Sequence, residues 1–334
     1  MKKLLILLII LLYALAFGLK AQDPQFSQFY SNPLYLAPSF AGLTGQTRVN
    51  MNYRLQWPEM PGAYHTYTMS VDHAINTFNS GIGLILLKDK AGSGNLSLTD
   101  LSLQYAYYVK LSESWHIVPG LYFSYNERSI DYQKLMWRDQ ISAQGNSALT
   151  GESLPVDKVI SLDAGTSILA FSDQYWFGTS VDHLLRPNQS FYLIENNAKD
   201  YGYIPVKYSV FGGTKIINKG RLFRPYDTSL QLAFLLKKQD KYQQFDMGMY
   251  WFRKPLVLGF WYRGIPVIKP FPNQDALTIL VGYKDDMISV GYSYDFTVSR
   301  LVGATGGAHE LSITYSFKAK LPTKKMRVVP CPDF

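Results

Sequence analysis

The sequence lacks long apolar runs beyond its N-terminal region. After residue 21 no apolar stretch approaches 18 residues, the shortest length at which a membrane-spanning helix is normally considered. Cysteine is almost absent, because Cys331 is the only one in the chain. One cysteine can form no disulfide within the chain and provides no zinc-binding Cys/His spacing. The sequence therefore excludes helical membrane spans and an internal disulfide.

Motifs for catalysis, metal binding and nucleic-acid binding are also missing. None of the five histidines lies in an H-E-x-x-H or comparable spacing, and no G-x-S-x-G occurs. His309, Glu310 and Ser312 are close in sequence, but neighbouring residues of a strand point to opposite faces. The basic residues are scattered rather than clustered. We therefore expect no enzyme, no cofactor or metal, and no nucleic-acid partner.

The N-terminus resembles a secretory signal peptide. Lys2 and Lys3 precede an apolar run of 16 residues, 4–19, after which the chain becomes polar at Lys20. That run is short for a membrane anchor, which is the alternative interpretation. We predict a signal peptide over residues 1–21, cleaved after Ala21. Its removal would lower the formal charge from +8 to +5, since residues 1–21 hold three lysines and no acid.

Strict alternation of apolar and polar residues recurs along the rest of the chain. Between residues 310 and 317, Leu311, Ile313, Tyr315 and Phe317 alternate with polar or charged residues. This period of two is the signature of a β-strand with one apolar face. Fourteen such segments occur, near 46–56, 64–75, 80–88, 95–110, 115–129, 158–171, 174–184, 206–217, 226–238, 242–252, 256–264, 274–283, 287–299 and 309–318.

The lengths of these segments and of their connections favour an outer-membrane β-barrel. Most segments run 9–15 residues, and aromatic residues make up 15% of the chain. Every connection longer than eight residues follows an odd-numbered segment, including 130–157 and 185–205. Outer-membrane barrels have short periplasmic turns, longer outer loops and aromatic girdles. We predict an all-β, transmembrane antiparallel barrel of about 14 strands (12–16), spanning residues 46–318, with both termini in the periplasm.

Two details of this barrel can be predicted from the pattern. Asp72, Asp163, Asp246, Arg263 and Asp295 fall on the polar faces, which would line the lumen. Within 95–110 the alternation slips between Leu98 and Leu101, which suggests a β-bulge. A soluble β-sandwich or propeller is the alternative fold, but it gives no reason for long and short connections to alternate.

The segments outside the strands are unusual. Residues 22–45 are dense in proline, asparagine, aromatic residues and glycine, and we predict a periplasmic segment that plugs the barrel or docks a partner. Residues 319–334 follow the last strand as a periplasmic tail with several basic residues. This tail is either solvated or a docking peptide.

Several stretches resemble the PorP/SprF family of type IX secretion system membrane proteins. The resemblance is carried by Gln22-Asp-Pro-Gln-Phe-Ser-Gln-Phe-Tyr30, Asn32-Pro33, Pro38-Ser-Phe-Ala-Gly42, His183-Leu-Leu-Arg-Pro-Asn-Gln-Ser190, Gly291-Tyr-Ser-Tyr-Asp295, Ala308-His-Glu-Leu-Ser312 and Cys331-Pro-Asp-Phe334. Asp333 stands where a basic residue is common in the family. The match extends over essentially the whole mature chain.

This resemblance implies a function in protein secretion. Some family members associate with the periplasmic ring and peptidoglycan-binding lipoproteins of the type IX system. Others receive the C-terminal sorting domain of a large secreted adhesin and hold it at the cell surface, as in gliding motility. We accordingly expect an outer-membrane protein that assists secretion or surface anchoring. A passive channel or transporter for small molecules is the alternative.

The residues that would contact a partner lie outside the strands. Arg186, Pro187 and Asn188 belong to a predicted outer loop, where a secreted protein would meet the barrel. Phe26, Phe29 and Tyr30 belong to the unusual N-terminal segment. We predict these six as partner-binding residues.

Overall fold

The computed structural model describes residues 23–142, 145–146, 151, 154–192, 202–218, 228–264, 274–298, 303 and 305–317. The predicted signal peptide and the predicted C-terminal tail lie outside the described residues. No helix within the described part of the chain is long and apolar enough to cross a membrane.

Fourteen long strands form the described part of the sheet. They are β1 (Thr47–Gln56), β2 (Tyr64–Ile75), β3 (Ser80–Ala91), β4 (Leu96–Tyr107), β6 (His116–Ser129), β9 (Lys158–Phe171), β10 (Tyr175–Asp182), β11 (Lys207–Asn218), β12 (Thr228–Gln239), β13 (Tyr242–Arg253), β14 (Leu256–Gly264), β15 (Gln274–Lys284), β16 (Ile288–Thr297) and β17 (Ala308–Phe317). Short strands are β5 (Val109–Lys110), which pairs with β6, and the hairpin of β7 (Ile141–Ser142) and β8 (Gly145–Asn146).

The long strands close into an antiparallel barrel. Each pairs with its neighbours in sequence, and β1 also pairs with β17 from Thr47↔Phe317 to Gln56↔Ala308. Closure leaves no sheet edge, so every strand finds hydrogen-bond partners on both sides. The predicted fold and the number of strands are confirmed.

The two ends of the barrel differ. The strands joined by 130–157 and by 183–206 meet at one end, here called the long-loop end. The strands joined by 76–79, 172–174 and 254–255 meet at the other, the short-turn end. The helical elements of the described chain are all short turns. These are Phe29–Ser31, Pro33–Leu36, Pro38–Phe40, Asn76–Phe78, Tyr132–Lys134 and Arg138–Gln140.

The predicted bulge in β4 is wrong. The register of β4 is continuous against both neighbours, through Asp89↔Leu98 on β3 and Leu101↔Tyr125 on β6. Leu98 lies on the lumen face beside the core, and Leu101 is exposed on the outer face. An apolar lumen contact for Leu98, rather than an extra residue, explains the break in the sequence pattern. The register shifts instead between Arg263 and Gly264 in β14.

Alternation places polar residues inside the barrel and apolar residues outside. Ser102 and Gln104 of β4 are buried, while Leu103 between them is 62% exposed. The charged residues predicted for the polar faces, such as Asp72 and Asp295, are buried on the lumen side. This barrel therefore presents apolar side chains to the membrane and a charged wall to its own interior.

Candidate functional site: the occupied lumen

Residues 23–45, here called the N-terminal segment, lie inside the barrel. The segment begins beside His183 and Lys207 at the long-loop end and descends to Gly42, which contacts Asp72 near the short-turn end, before β1 starts. Short turns rather than an extended chain let the segment fill this space. Its proline and asparagine residues suit this irregular path, because Pro33 and Pro38 start helical turns.

Most of the segment is buried. Phe26, Phe29 and Tyr30 are exposed by only 1%, 3% and 1%, and Ala41 by 0%. The three aromatic residues predicted to bind a partner therefore face the lumen wall in this structure. β1 begins and β17 ends at the short-turn end, where Thr47 pairs with Phe317. The described chain nevertheless begins at the opposite end, where Asp23 lies beside His183.

A cluster of charges holds the upper part of the segment at the seam between the first and last strands. Arg54 of β1 lies 2.8 Å from Asp295 of β16 and 3.1 Å from Glu310 of β17. All three side chains are almost fully buried. Ion pairs in such a dry environment are stable only when additional hydrogen bonds complete their coordination.

Ser27 and Gln28 provide those hydrogen bonds. The backbone N–H groups of both residues donate to the Glu310 carboxylate at 2.7 and 3.0 Å. The Ser27 hydroxyl donates to Asp295 and accepts from Arg54 and from Arg263 at 2.6 Å each. A hydroxyl has one donor and two acceptor positions, so this side chain is fully used.

The Gln28 side chain is equally well fixed. Its amide nitrogen donates to Ser293 Oγ and to the Glu310 carbonyl oxygen, both at 3.0 Å. Its amide oxygen accepts from Ser312 Oγ at 2.7 Å. Ser27 and Gln28 thereby connect the segment to four strands, β1, β14, β16 and β17, and the barrel closes between β1 and β17.

A second charged cluster, at the long-loop end, binds the first described residue. Asp23 lies 2.9 Å from His183 Nε2 and 2.6 Å from Lys207 Nζ. The other nitrogen of His183 lies 2.5 Å from Asp163, and Lys207 also pairs with Asp182 at 3.3 Å. We call these five residues the Asp23 latch.

The latch groups shift one another's titration. Burial by itself would lower the pKa of His183, but the carboxylates of Asp23 and Asp163 overcome this and raise it to about 10. Burial would likewise raise the pKa of Asp23, but the cations of His183 and Lys207 hold it well below its usual range. Both groups are therefore charged at neutral pH, as an ion pair requires.

A layer of aromatic rings lies in the lumen between the Arg54 cluster and the short-turn end. The Phe29 ring meets the edge of Trp261 at 4.8 Å between centroids, and Tyr30 packs against Trp176 at 6.1 Å. Trp176 also donates its ring N–H to the Tyr30 hydroxyl at 3.3 Å. Lower still, Phe40 packs against Phe211. These rings line this part of the lumen with apolar surface.

Two glycines let the backbone of the segment touch the wall. A Cβ atom on Gly81 would lie 2.0 Å from the carbonyl oxygen of Ala41, and one on Gly120 would lie 2.4 Å from the amide nitrogen of Ser39. Neither approach is compatible with a larger residue. Ser39 is also fixed by Ser167, whose hydroxyl accepts from its amide N–H at 2.9 Å.

The predicted loop residues lie at the rim of the long-loop end. Arg186, with a left-handed backbone, and Asn188 are exposed, while Pro187 is buried. Asn188 pairs with Tyr203 across the loop, and the Pro187 carbonyl oxygen accepts from Ile204 at 3.0 Å. The structure therefore keeps these three residues apart from the buried Phe26, Phe29 and Tyr30.

Sequence reasoning missed that these motifs contact each other. It named Asp295 and Arg263 as lumen-facing and noticed His309, Glu310 and Ser312, but it did not connect them with Ser27 and Gln28. Each partner of Ser27 and Gln28 is a polar residue on a strand face, which is ordinary in barrels. The available signal was the N-terminal polar and aromatic motif itself, which has no strand pattern to explain it.

Comparisons with known proteins place the chain in a family. The family model described as "Type IX secretion system membrane protein PorP/SprF" matches residues 18–315. No curated protein matches the sequence. The stretches from which the resemblance was inferred include Ser27 and Gln28 and their partners Ser293, Asp295, Glu310 and Ser312.

Solved outer-membrane proteins resemble the barrel only distantly. The toluene transporter TodX of P. putida is 11% identical with a TM-score of 0.46, over 84% of this chain and 92% of that one. A FadL homologue of Pseudomonas aeruginosa is 12% identical with a TM-score of 0.39, over 82% and 90%. The KdgM porin is 9% identical with a TM-score of 0.37, over 81% and 99%. Scores at this level carry no argument about function.

Proposed function

Because the chain belongs to the PorP/SprF family of type IX secretion system membrane proteins, we propose that it binds the C-terminal sorting domain of a secreted protein, such as a large adhesin. Binding at the outer surface would assist secretion of that protein or anchor it to the cell, as gliding motility requires. The family and the barrel indicate an outer-membrane secretion component rather than an enzyme. No bond making is part of this proposal.

Exposed apolar residues on the long loops are the observation that carries this proposal. Leu184, Leu185 and Tyr192 are exposed by 46%, 58% and 70%. Met136 and Ile141, on the other long loop, are exposed by 61% and 60%. Loops beyond the strands do not face lipid tails, so lipid does not account for this exposure. Apolar surface with a polar border is typical of protein-binding sites.

Arg186 and Asn188 fit the polar border of that surface. They are exposed directly after Leu184 and Leu185, and the carbonyl oxygen of Pro187 between them accepts from the Ile204 N–H. Charged and polar residues at the border of an interface give orientation and specificity. In this proposal Phe26, Phe29 and Tyr30 contact a partner only after the N-terminal segment has left the lumen. The periplasmic ring or its peptidoglycan-binding lipoproteins would dock at the short-turn end.

A passive channel is the weaker alternative. The N-terminal segment occupies the lumen, and its aromatic residues are buried against the wall, which leaves less room for a passage. We therefore expect purified protein in planar bilayers to show no large steady conductance, and a deletion of residues 23–45 that still folds to show conductance steps. A large steady conductance of the full chain would favour the channel.

Copurification from solubilised outer membranes tests the proposed function. We expect the tagged protein to retain a secreted C-terminal domain and type IX components. Leu185→Asp together with Arg186→Glu should remove the secreted domain. Phe78→Asp is the matched control, since Phe78 is 72% exposed at the short-turn end. The proposal fails if the wild type retains neither partner, or if only Phe78→Asp removes the secreted domain.

A further inference from the structure

A small cavity lies between the N-terminal segment and the wall formed by β3, β4 and β6. Its volume is about 90 Å³, which is enough for several water molecules or a short ligand. Asp23 and His183 also border it, so the cavity belongs to the half of the lumen near the long-loop end. The contacts between the N-terminal segment and the wall that are described above leave this space open.

Two buried acceptors in the cavity wall have no hydrogen-bond partner among the residues that the structure describes. Ser102 and Gln104, on the same face of β4, are exposed by only 4% and 3%. Within the described residues, neither Ser102 Oγ nor Gln104 Oε1 has a hydrogen-bond partner. The amide nitrogen of Gln104 donates to the carbonyl oxygen of Leu34 at 3.0 Å, so its oxygen is the atom left over. A buried polar group without a partner is costly and calls for a ligand or water.

The wall of the cavity also carries an acid that forms no ion pair with another described residue. Asp100 lies on the same face of β4, two residues before Ser102, and is hydrogen-bonded to Ser124. Within the described chain no ion pair involves Asp100, because Lys207 pairs with Asp23 and Asp182 and His183 pairs with Asp23 and Asp163. The cavity thus offers a carboxyl group and two neutral acceptors.

The chemistry of these groups selects the class of ligand. A primary ammonium carries three N–H donors and no acceptor, which suits a carboxylate, a hydroxyl and an amide oxygen. Leu87 and Leu98 provide apolar walls, against which an alkyl stem can lie while its charged head reaches the acceptors. A metal ion fits less well, since the described residues include no group of three or more His, Cys, Asp or Glu side chains able to hold one.

We propose that this cavity binds a primary ammonium group on a short alkyl stem, with Asp100, Ser102 and Gln104 as its acceptors. The same chemistry is carried by a free small amine and by a lysine side chain that enters from the long-loop end. The proposal does not depend on the proposed secretion function.

Titration of the refolded full-length barrel with n-butylammonium chloride tests the site. With n-butylammonium chloride, calorimetry should show saturable binding and the melting temperature should rise to a plateau. Neither n-butanol nor sodium chloride at the same ionic strength as the butylammonium salt should produce these changes. Asp100→Asn should weaken binding about tenfold or more, because it removes a charged hydrogen-bond partner. Gln104→Leu should also weaken it. Asp285→Asn, an acid outside the lumen, should bind like the wild type.

The controls keep the result clear. The heat-dependent gel shift shows whether each variant folds. If Asp100→Asn does not fold, the comparison with the wild type is made with Gln104→Leu alone. A short peptide with one central lysine separates the two sources: binding by butylammonium alone assigns the site to free amines, and binding by the peptide assigns it to lysine side chains. The proposal would be overturned if the wild type showed no saturable binding. It would also be overturned if Asp100→Asn and Gln104→Leu both bound as tightly as the wild type.

Discussion

The outer and inner faces of the barrel meet different demands. Leu103, Phe123 and Leu162 are exposed by 62%, 63% and 66% on the outer face and have only to be apolar. Arg54 and Glu310 on the inner face are exposed by 2% and 1%, and each has defined partners. A residue on the outer face can therefore be replaced by another apolar residue. A residue on the inner face is needed for the particular atoms that form its hydrogen bonds and ion pairs. The motif residues Ser293, Asp295, Glu310 and Ser312 lie on the inner face, and each contacts Ser27 or Gln28 of the N-terminal segment.

The largest effect is expected from removing one charge at the seam of the barrel. Arg54→Met leaves Asp295 and Glu310 buried beside Ser27 without their main cation. Removing one partner of a buried ion pair costs about 3–5 kcal/mol, and we expect that loss in the free energy of unfolding, measured by urea titration in lipid.

The exposed pairs of Lys254 are the control. Lys254 lies 2.5 Å from Asp286, but its side chain is 46% exposed. Lys254→Met should change the free energy of unfolding by about 0–1 kcal/mol. Equal losses for the two variants would show that the lumen cluster contributes no more than a surface ion pair.

A charge on the outer face should produce the next largest effect. Leu103→Arg places a cation among lipid tails and is expected to cost about 2–4 kcal/mol if Leu103 lies near the middle of the bilayer. Leu103→Phe, which stays apolar, should leave the free energy of unfolding nearly unchanged. If Leu103→Phe were as harmful as Leu103→Arg, the outer face would need specific packing after all.

Much of the outer face could be predicted from the sequence, but little of the inner one. Alternation in segments such as 288–296 depends only on which face meets lipid, so it locates strands without knowledge of their neighbours. The contact of Gln28 with Ser312 joins residues 284 positions apart, and no local pattern records such a pairing. Leu98 shows the same limit of sequence prediction. Its apolar side chain faces the lumen and interrupts the alternation, so the sequence pattern suggested a bulge.

A substitution at the glycine contacts should have a smaller effect. Gly81→Ala would place a Cβ atom 2.0 Å from the carbonyl oxygen of Ala41, so the N-terminal segment must shift. Overpacking of this kind costs about 1–3 kcal/mol. We expect faster proteolysis near residue 41, detected by mass spectrometry.

Gly151→Ala is the control for that experiment. A Cβ atom there meets only Asp139 Oδ2, at 3.8 Å. Its proteolysis should match that of the wild type. If Gly81→Ala were cut at the same rate as Gly151→Ala, the close approach of segment and wall would be in doubt.

The smallest effect on global stability is expected from the Asp23 latch, which holds only the start of the segment. The pKa of His183 is raised to about 10 in the folded protein, above its unfolded value of about 6.5. Its contribution is therefore complete below about pH 6.5 and lost as the pH rises through about 10. Asp23, whose folded pKa is lowered, contributes above about pH 3.9 and loses this contribution only at lower pH.

Hydrogen exchange at residues 25–30 measures this local effect. Protection should fall between pH 7 and pH 10.5, after correction for the intrinsic exchange rate. His183→Gln should start with less protection and show no such fall. An unchanged alkaline fall in His183→Gln would assign it to another group.

A disulfide between the segment and the wall tests most directly whether residues 23–45 fill the lumen. Ser39→Cys and Ser167→Cys, introduced with Cys331→Ser, replace two buried hydroxyls that are hydrogen-bonded to each other. We predict that the two cysteines join in native outer membranes, so that mass spectrometry recovers the peptides of residues 39 and 167 as one species. Ser39→Cys paired with Ser112→Cys, an exposed turn residue, should not join. Two free cysteines at 39 and 167 that react with maleimide in the folded barrel would contradict the occupied lumen.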